Sequence, residues 1–234
     1  MSARLGTPRV HHRSTDSTSD RARALALAGA PHGTLVTAGE QHAGRGRQGR
    51  SWSAPPERAL LMSLVLRDWP PLLPIAGAVA VADVAGASGA GVAIKWPNDV
   101  LLDGRKLAGV LGEARQHEGW AVLGIGLNVA VRASDLPPEL RDSAASLRLE
   151  PAQIEPTLER LLRALERRLA QPAPDLLADL RARDALAGRA VRWAQGAGIA
   201  RGVDDSGRLL VDLADGSRTA LDAGEVHLRA VSRH

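Results

Sequence analysis

The chain has no cysteine, no phenylalanine and no tyrosine. The absence of cysteine excludes disulfides, cysteine-ligated zinc sites and thiol nucleophiles. The hydrophobic core must therefore be built from leucine, valine, alanine and the five tryptophans. With 44% hydrophobic residues and a formal net charge of +4 over 234 residues, the composition predicts a globular protein and excludes disorder as its dominant state. That net charge is too small to argue for nucleic-acid binding.

Lysine and asparagine are also scarce. Of 30 basic residues only Lys95 and Lys106 are lysine, and asparagine occurs only as Asn98 and Asn128. A chain biased this far toward arginine keeps a rare residue type most readily where its chemistry cannot be replaced. Three of these four residues lie between 95 and 106, which makes that stretch a candidate functional site.

No secretion signal or membrane span is predicted, and we expect a cytoplasmic protein. Residues 1–19 are polar where a signal peptide needs an apolar core. The apolar run 72–94 is rich in alanine and glycine and has Asp83 in its middle. It therefore predicts a buried helix over 74–88, followed by a strand, rather than a transmembrane segment.

Apolar periodicity and turn residues predict alternating helices and strands. The expected helices are 16–29, 74–88, 153–170 and 174–187, and the expected strands are 34–38, 59–67, 92–95, 100–102, 107–113 and 121–125. After residue 188 the pattern changes to short alternating strands separated by turns such as Asp205–Gly207. This change predicts a domain of residues 1–188 and a small β-barrel domain of residues 189–234.

A glycine- and arginine-rich segment, Gly44–Arg50, follows the second predicted element. It contains the spacing of a dinucleotide-binding loop, but Pro55 and Pro56 exclude the long helix that such a loop requires. It also lacks the lysine and hydroxyl of a phosphate-binding P-loop. A flexible cationic loop remains, whose guanidinium groups suit phosphate oxygens. A nucleic-acid-binding or disordered glycine–arginine patch is the alternative.

The stretch Lys95–Asp99, with the sequence KWPND, is followed by Arg105–Gly109, with the sequence RKLAG. The proline predicts a tight turn, and Asp103–Gly104 predicts a hairpin that returns the second lysine toward the same end. Two ammonium groups and one carboxylate suit a polyphosphate with its metal ion. An ordinary turn with a surface ion pair is the alternative.

Two weaker features follow. Gly124–Asn128, with the sequence GIGLN, predicts a strand with a close backbone approach and an amide side chain near its end, although a plain turn fits as well. Trp52 suits stacking on adenine, although a single tryptophan also fits a core position. The seven histidines show no metal-ligand spacing.

Taken together and in this order, these motifs resemble the biotin–protein ligases. The matching segments are Asp16–Ser19, Glu40–Arg50, Lys95–Asp99, Arg105–Gly109 and Gly124–Asn128. The resemblance implies an α+β fold, in which a mixed sheet is flanked by helices as in class II aminoacyl-tRNA synthetases. It also implies a small C-terminal SH3-like β-barrel. The implied reaction forms biotinyl-5′-AMP from biotin and ATP, and then transfers biotin to a lysine of a biotin carboxyl carrier domain.

The resemblance also implies roles for individual residues. The catalytic residues would be Arg45, Arg47 and Lys106. Biotin would be bound by Ser17, Thr18, Ser19, Gln41, Gly44, Arg45, Gly46, Arg47, Lys106, Gly109 and Gly124. ATP would be bound by Arg50, Trp52, Lys95, Asn98 and Asn128, and Asp99 would hold Mg²⁺. The loop over 39–56 would close over the labile intermediate, and we expect it to be partly disordered without ligand.

One position departs from the family pattern, because Ser19 stands where asparagine is usual. The first motif begins at Asp16, so we expect the form of the family without a DNA-binding domain, and neither nucleic acid nor membrane as a partner. Such enzymes vary in oligomeric state, which leaves a monomer and a homodimer open. The alternatives are a lipoate or octanoate ligase of the same superfamily, a DNA-binding biotin sensor and a non-catalytic biotin-binding module.

Overall fold

A mixed seven-stranded sheet forms the centre of the larger part of the molecule. The structure is a computed structural model that describes residues 4–86, 91–222 and 226–228. Its first seven strands are β1 (Arg9–His12), β2 (Leu35–Ala38), β3 (Ala59–Leu66), β4 (Val92–Lys95), β5 (Asp99–Leu102), β6 (Arg105–Arg115) and β7 (Trp120–Asn128). They lie in the order β1-β2-β3-β7-β6-β5-β4, and only the β1–β2 pair is parallel.

Helices cover both faces of this sheet. They are α1 (Thr18–Leu27), α2 (Leu73–Gly86), α3 (Pro138–Arg141), α4 (Ile154–Leu169) and α5 (Ala173–Arg181). Because successive side chains of a strand point to opposite faces, β7 places Leu123 and Ile125 in the core with α2, and Val122 against α1. The apolar run thus contains a buried helix followed by a strand, as predicted, and the helix packs on α4. Within the described ranges, no helix combines the length and hydropathy needed to cross a bilayer.

A second, antiparallel sheet follows α5. It comprises β8 (Ala190–Trp193), β9 (Gly196–Val203), β10 (Leu209–Asp212), β11 (Arg218–Leu221) and β12 (His227–Leu228), in the order β11-β10-β9-β8-β12. This confirms a small C-terminal β domain, while the exact boundary at residue 188 stays a prediction. The indole nitrogen of Trp96 donates to the carbonyl of Gly207 at 2.9 Å, so this domain contacts the turn between β4 and β5.

The secondary structure differs from the expectations at one missed strand and at the end of one helix. Strand β1 was not predicted, because its polar sequence carries no alternating apolar signal and it forms only by pairing with β2. Helix α5 ends at Arg181 rather than at 187. The chain there turns to pair with β4, since Ile94 donates its amide to the carbonyl of Arg183 and accepts from the amide of Ala185. The predicted end of the second helix, at 88, lies outside the described residues.

Candidate active site

One cavity brings together most of the residues that the sequence singled out. It lies on the sheet between the start of α1, the glycine–arginine loop, the turn between β4 and β5, and strands β6 and β7. The predicted site residues that line it are Thr18, Ser19, Gln41, Arg45, Gly46, Arg47, Arg50, Trp52, Lys95, Asn98, Asp99, Lys106, Gly109 and Gly124. The cationic loop and both lysines therefore share a single cavity.

The floor of the cavity is a chain of uncharged polar groups. Gln41 accepts hydrogen bonds through Oε1 from the amide and the hydroxyl of Thr18, at 2.7 and 2.9 Å. The Ser63 hydroxyl donates to Thr18 Oγ1 at 2.9 Å and lies 3.1 Å from the Ser19 hydroxyl. All three hydroxyl residues are buried. Because hydroxyl and amide groups both donate and accept, this floor suits a neutral polar head group.

Three predicted ligand-binding residues do not line the cavity. Ser17 caps α1, its hydroxyl accepting from the amide of Asp20 at 3.4 Å. Gly44 is the first residue of the loop, and a Cβ there would stand 2.4 Å from the carbonyl oxygen of Trp52. Asn128 is buried, and its amide donates to the carbonyl of Ala145 at 2.9 Å. The structure thus places Asn128 in a buried contact rather than with the other ATP-site residues.

Backbone hydrogen bonds give the glycine–arginine loop a defined shape. The amide of Gly46 donates to the carbonyl of Arg50 at 2.8 Å, and the amide of Trp52 donates to the carbonyl of Gly44 at 2.8 Å. Between them the chain makes a tight turn in which Gly49 has a φ of +75°, a conformation that glycine adopts without a steric penalty. This turn leaves the side chains of Arg45, Arg47 and Arg50 at the cavity.

Trp52 lies directly on two glycines of the sheet. Gly109 on β6 and Gly126 on β7 are register partners, and a Cβ on either would stand 3.1 or 2.4 Å from the indole ring. Gly124 lies two residues before Gly126 on β7. A Cβ on Gly124 would stand 2.6 Å from the hydroxyl oxygen of Ser19. The glycines of β6 and β7 thus make room for the wall and floor of the cavity.

Positive charge is concentrated around one carboxylate. Lys106 Nζ lies 2.8 Å from Asp99 Oδ1 and 5.6 Å from the centroid of the Trp52 ring. Burial lowers the pKa of Lys95, an effect that Asp99 opposes and Lys106 reinforces. Burial also lowers the pKa of Arg47, again opposed by Asp99. Both shifts indicate that Lys95 and Arg47 are partly desolvated and that too little negative charge lies near them. An anionic ligand would supply that charge.

Arg45 occupies the other side of the cavity and is held by acidic residues of two elements. Its guanidinium lies 2.8 Å from Asp20 of α1 and 3.9 Å from Glu113 of β6. Arg47 reaches the turn between β4 and β5 instead, where it donates to Asn98 Oδ1 at 3.4 Å. Asn98 itself donates to the carbonyl of Val110 at 2.7 Å, which anchors the turn to β6.

Some residues of the site carried no signal in the sequence. Ser63 supports the floor from β3, and Met62 lines the cavity beside it. Val226 lines the cavity from the C-terminal domain. These contacts arise from long-range pairing, so only the fold reveals them. Gly126, in contrast, lies within the predicted GIGLN motif, and its close approach to Trp52 matches the reason given for that motif.

Asp99 is the acidic residue among the described residues lining the cavity. No group of three or more histidine, cysteine or acidic side chains within the described chain is arranged to hold a metal ion. A single carboxylate still fits Mg²⁺ that arrives with a nucleotide, because this ion is commonly bound by one or two carboxylates and the substrate phosphates.

Two family models match the chain. The biotin/lipoate A/B protein ligase family matches residues 12–129, and the biotin protein ligase C terminal domain matches residues 188–229. The first match contains the whole cavity apart from Val226, and the second contains the smaller sheet.

Curated relatives and a solved structure agree with these models. The biotin–[acetyl-CoA-carboxylase] ligase of Mycobacterium tuberculosis is 38% identical over 92% of this chain and 87% of its own length. The bifunctional ligase/repressor BirA of Bacillus subtilis is 41% identical over 61% of this chain, and the match spans about half, 47%, of that relative. The fold resembles that of biotin protein ligase from Aquifex aeolicus in complex with biotin and ATP, with a TM-score of 0.78, 24% identity, and coverage of 96% of this chain and 100% of the other. The chain therefore belongs to the biotin/lipoate A/B protein ligase family and carries the C-terminal domain of biotin protein ligases.

Proposed function

We propose that this chain is an ATP-dependent biotin–protein ligase that activates biotin as biotinyl-5′-AMP and transfers it to a lysine of a biotin carboxyl carrier domain. The observation that carries the proposal is the single cavity, in which an uncharged polar floor lies next to a cluster of five cations. A head group that needs both donors and acceptors, and a polyphosphate, can be bound there side by side. The Mycobacterium tuberculosis relative, named for this activity, supports the same function.

In the first step, a carboxylate oxygen of biotin attacks the α-phosphorus of ATP, and the bond to the β-phosphate oxygen breaks to release diphosphate. A carboxylate is a weak nucleophile, so positioning and charge neutralisation supply most of the catalysis. Arg45, Arg47 and Lys106 would hold the carboxylate near the α-phosphate and stabilise the negative charge of the transition state.

The floor of the cavity would bind the ureido ring of biotin. Thr18, Ser19 and Gln41 offer hydroxyl and amide groups of both hydrogen-bonding kinds. Ser17 would act indirectly, because its cap fixes the start of the helix that carries Thr18 and Ser19. The shorter Ser19, where the family usually has asparagine, remains within hydrogen-bonding distance of Ser63 and so stays part of the floor.

The nucleotide would occupy the cationic part of the cavity. Lys95 and Arg50 would contact its phosphates, and Trp52 would contact the adenylate. The Trp52 indole nitrogen is packed against Gly126 and has no hydrogen-bond partner among the described residues. Asp99 would hold Mg²⁺, which would neutralise phosphate charge when bound.

In the second step, the uncharged lysine amine of the carrier attacks the acyl carbon of biotinyl-5′-AMP, and AMP leaves with the phosphate oxygen. The mixed anhydride is also open to hydrolysis, so water must be kept away from it. The loop over 39–56, which carries three arginines of the cavity, would close over the adenylate.

Intact-mass measurement tests this function. The chain is incubated with Mg-ATP, a carrier domain and either biotin or lipoate, and the carrier mass is then recorded. We expect the carrier to gain one biotinyl group with biotin and no mass with lipoate. No mass gain from a folded enzyme would refute the proposal, and a gain with lipoate alone would assign the chain to the other branch of its family.

A further inference from the structure

Four polar side chains in the floor of the active-site cavity form a hydrogen-bond chain, and one backbone amide fixes its direction. The amide of Thr18 can only donate, and it lies 2.7 Å from one terminal atom of the Gln41 side chain. That atom must be the carbonyl oxygen Oε1, because the amide nitrogen of glutamine is itself a donor. The Thr18 hydroxyl lies 2.9 Å from the same oxygen and therefore points its proton at it.

The directions of the other two hydroxyl groups follow from this one, because each hydroxyl has a single proton. Since the proton of Thr18 points at Gln41, Thr18 Oγ1 accepts from Ser63 at 2.9 Å. The Ser63 proton is then engaged, so Ser63 Oγ accepts from the Ser19 hydroxyl at 3.1 Å. The protons of all three hydroxyl groups thus point along the chain toward Gln41.

Burial keeps water from reversing this chain. Ser19 is 6% exposed, Thr18 is 3% exposed and Ser63 is 0% exposed. Turning one hydroxyl around would leave a buried hydrogen bond unmade, at a cost of about 1–3 kcal/mol. Thr18 and Ser19 line the cavity, whereas Ser63 is not among its described lining residues. Ser63 can therefore act on a ligand only through its two neighbours.

The direction of the chain determines what the floor presents to a ligand. Thr18 and Ser19 present lone pairs, because their protons are engaged within the floor. Gln41 Oε1 already accepts two hydrogen bonds, and its Nε2 can only donate. Two acceptors and one donor complement a ring with two N–H groups and one carbonyl, which is the pattern of a cyclic urea.

Ser19 and Thr18 differ in what holds them as acceptors. The Thr18 hydroxyl is oriented by Gln41, whichever residue occupies position 63. The Ser19 hydroxyl is oriented by Ser63. Asparagine, which is usual at position 19, could present either a donor or an acceptor. Serine with its proton engaged presents only an acceptor, so the choice at this position depends on Ser63.

We propose that Ser63 is a positioning residue that determines ligand specificity, because it holds the Ser19 hydroxyl as an acceptor and so selects a ring N–H over a ring acceptor. This inference rests on the proposed function, because the cyclic urea of biotin supplies that N–H. Without the Ser63 hydroxyl, Ser19 could rotate and donate. The floor would then tolerate a ring acceptor that the wild-type chain rejects.

The test uses biotin and its two cyclic carbamate analogues, in each of which one ureido N–H is replaced by oxygen. Exchange of labelled diphosphate into ATP gives kcat/KM for each acid. We expect the wild-type chain to prefer biotin over each analogue by at least about 100-fold, because a ring oxygen would face a lone pair of the floor. In Ser63→Ala, the preference over one analogue should fall at least about tenfold, while the KM for ATP stays at the wild-type value.

Two further variants show whether the effect passes through Ser19. Ser19→Ala should lose the preference over the same analogue, and adding Ser63→Ala to it should change that preference no further, because both changes act on one group. Thr34→Val is the matched control. It removes another buried hydroxyl, which donates to the carbonyl of Pro31 at 2.8 Å and lies outside the described lining of the cavity. We expect this control to keep the wild-type preference.

An unchanged preference in Ser63→Ala, or an equal loss in Thr34→Val, would overturn the inference. Additive losses in the double variant would also overturn it, because Ser63 would then act by another route. Ser63→Cys decides the question if Ser63→Ala does not fold, since a thiol has a similar size but is a weak donor and should also lower the preference. Failure of the wild-type chain to catalyse exchange with biotin would refute the proposed function itself.

Discussion

Gly126→Ala should disable adenylate formation while leaving the protein folded. A Cβ at this position would stand 2.4 Å from the ring of Trp52, where ordinary contact begins at 3.4 Å, so the ring must move by about 1 Å. Trp52 is only partly buried and belongs to a loop, so the loop can yield at a stability cost of about 1 kcal/mol. The same loop carries Arg45 and Arg47, and a displacement of about 1 Å in a positioning element can cost about 100-fold in rate.

Diphosphate exchange and thermal unfolding of Gly126→Ala separate these two effects. We expect kcat/KM for exchange to fall about 100-fold and the free energy of unfolding to fall by only about 1 kcal/mol. Gly86→Ala is the matched control, because a Cβ there meets no atom within 4 Å among the described residues outside its own helix. In a Trp52→Ala background, Gly126→Ala should cost no stability. If Gly126→Ala exchanges diphosphate at the wild-type rate, the contact between the Trp52 ring and β7 does not explain why glycine occupies this position.

Three further predictions concern other parts of the molecule. Lys106→Ala should reduce diphosphate exchange about 100- to 1,000-fold. Its free energy of unfolding should stay within about 1 kcal/mol of wild type, because the ion pair between Lys106 and Asp99 is partly exposed. Full exchange activity would contradict the catalytic role of Lys106. Burial raises the pKa of Asp184, so its ionised form destabilises the fold once the pH exceeds the ordinary aspartate pKa. In urea unfolding, Asp184→Asn should therefore be about 1 kcal/mol more stable than wild type at pH 7. This gain should disappear near pH 3, where Asp184 is protonated. Trypsin should cleave the loop over 39–56 more slowly when biotin and ATP are both present, and equal cleavage rates would contradict its closure over the ligands.

The sequence predicted the elements whose signals are local. The buried strand β3, the apolar helix α2 and the turn between β4 and β5 follow from apolar runs and proline, and all three are present. Strand β1 and the early end of α5 depend on pairing with distant strands. No pattern within those segments records their partners, so they were not predicted.

The same distinction holds within the site. Scarcity of lysine and asparagine singled out Lys95, Asn98 and Lys106, and all three line one cavity. The same criterion also selected Asn128, whose amide is bound to the carbonyl of Ala145 in the interior. A rare residue can be retained for a buried hydrogen bond as well as for a ligand, and only its long-range partner distinguishes the two. Val226 was not identified because it reaches the cavity from the second domain, through a contact that is distant in sequence.

Biotin-dependent exchange of labelled diphosphate into ATP by the wild-type chain, without any carrier, is the most direct measurement. Exchange that requires biotin would mean that the acid and the nucleotide react in the shared cavity of arginines and lysines. Exchange that proceeds equally without biotin, or no exchange by a folded chain that binds both ligands, would contradict that claim.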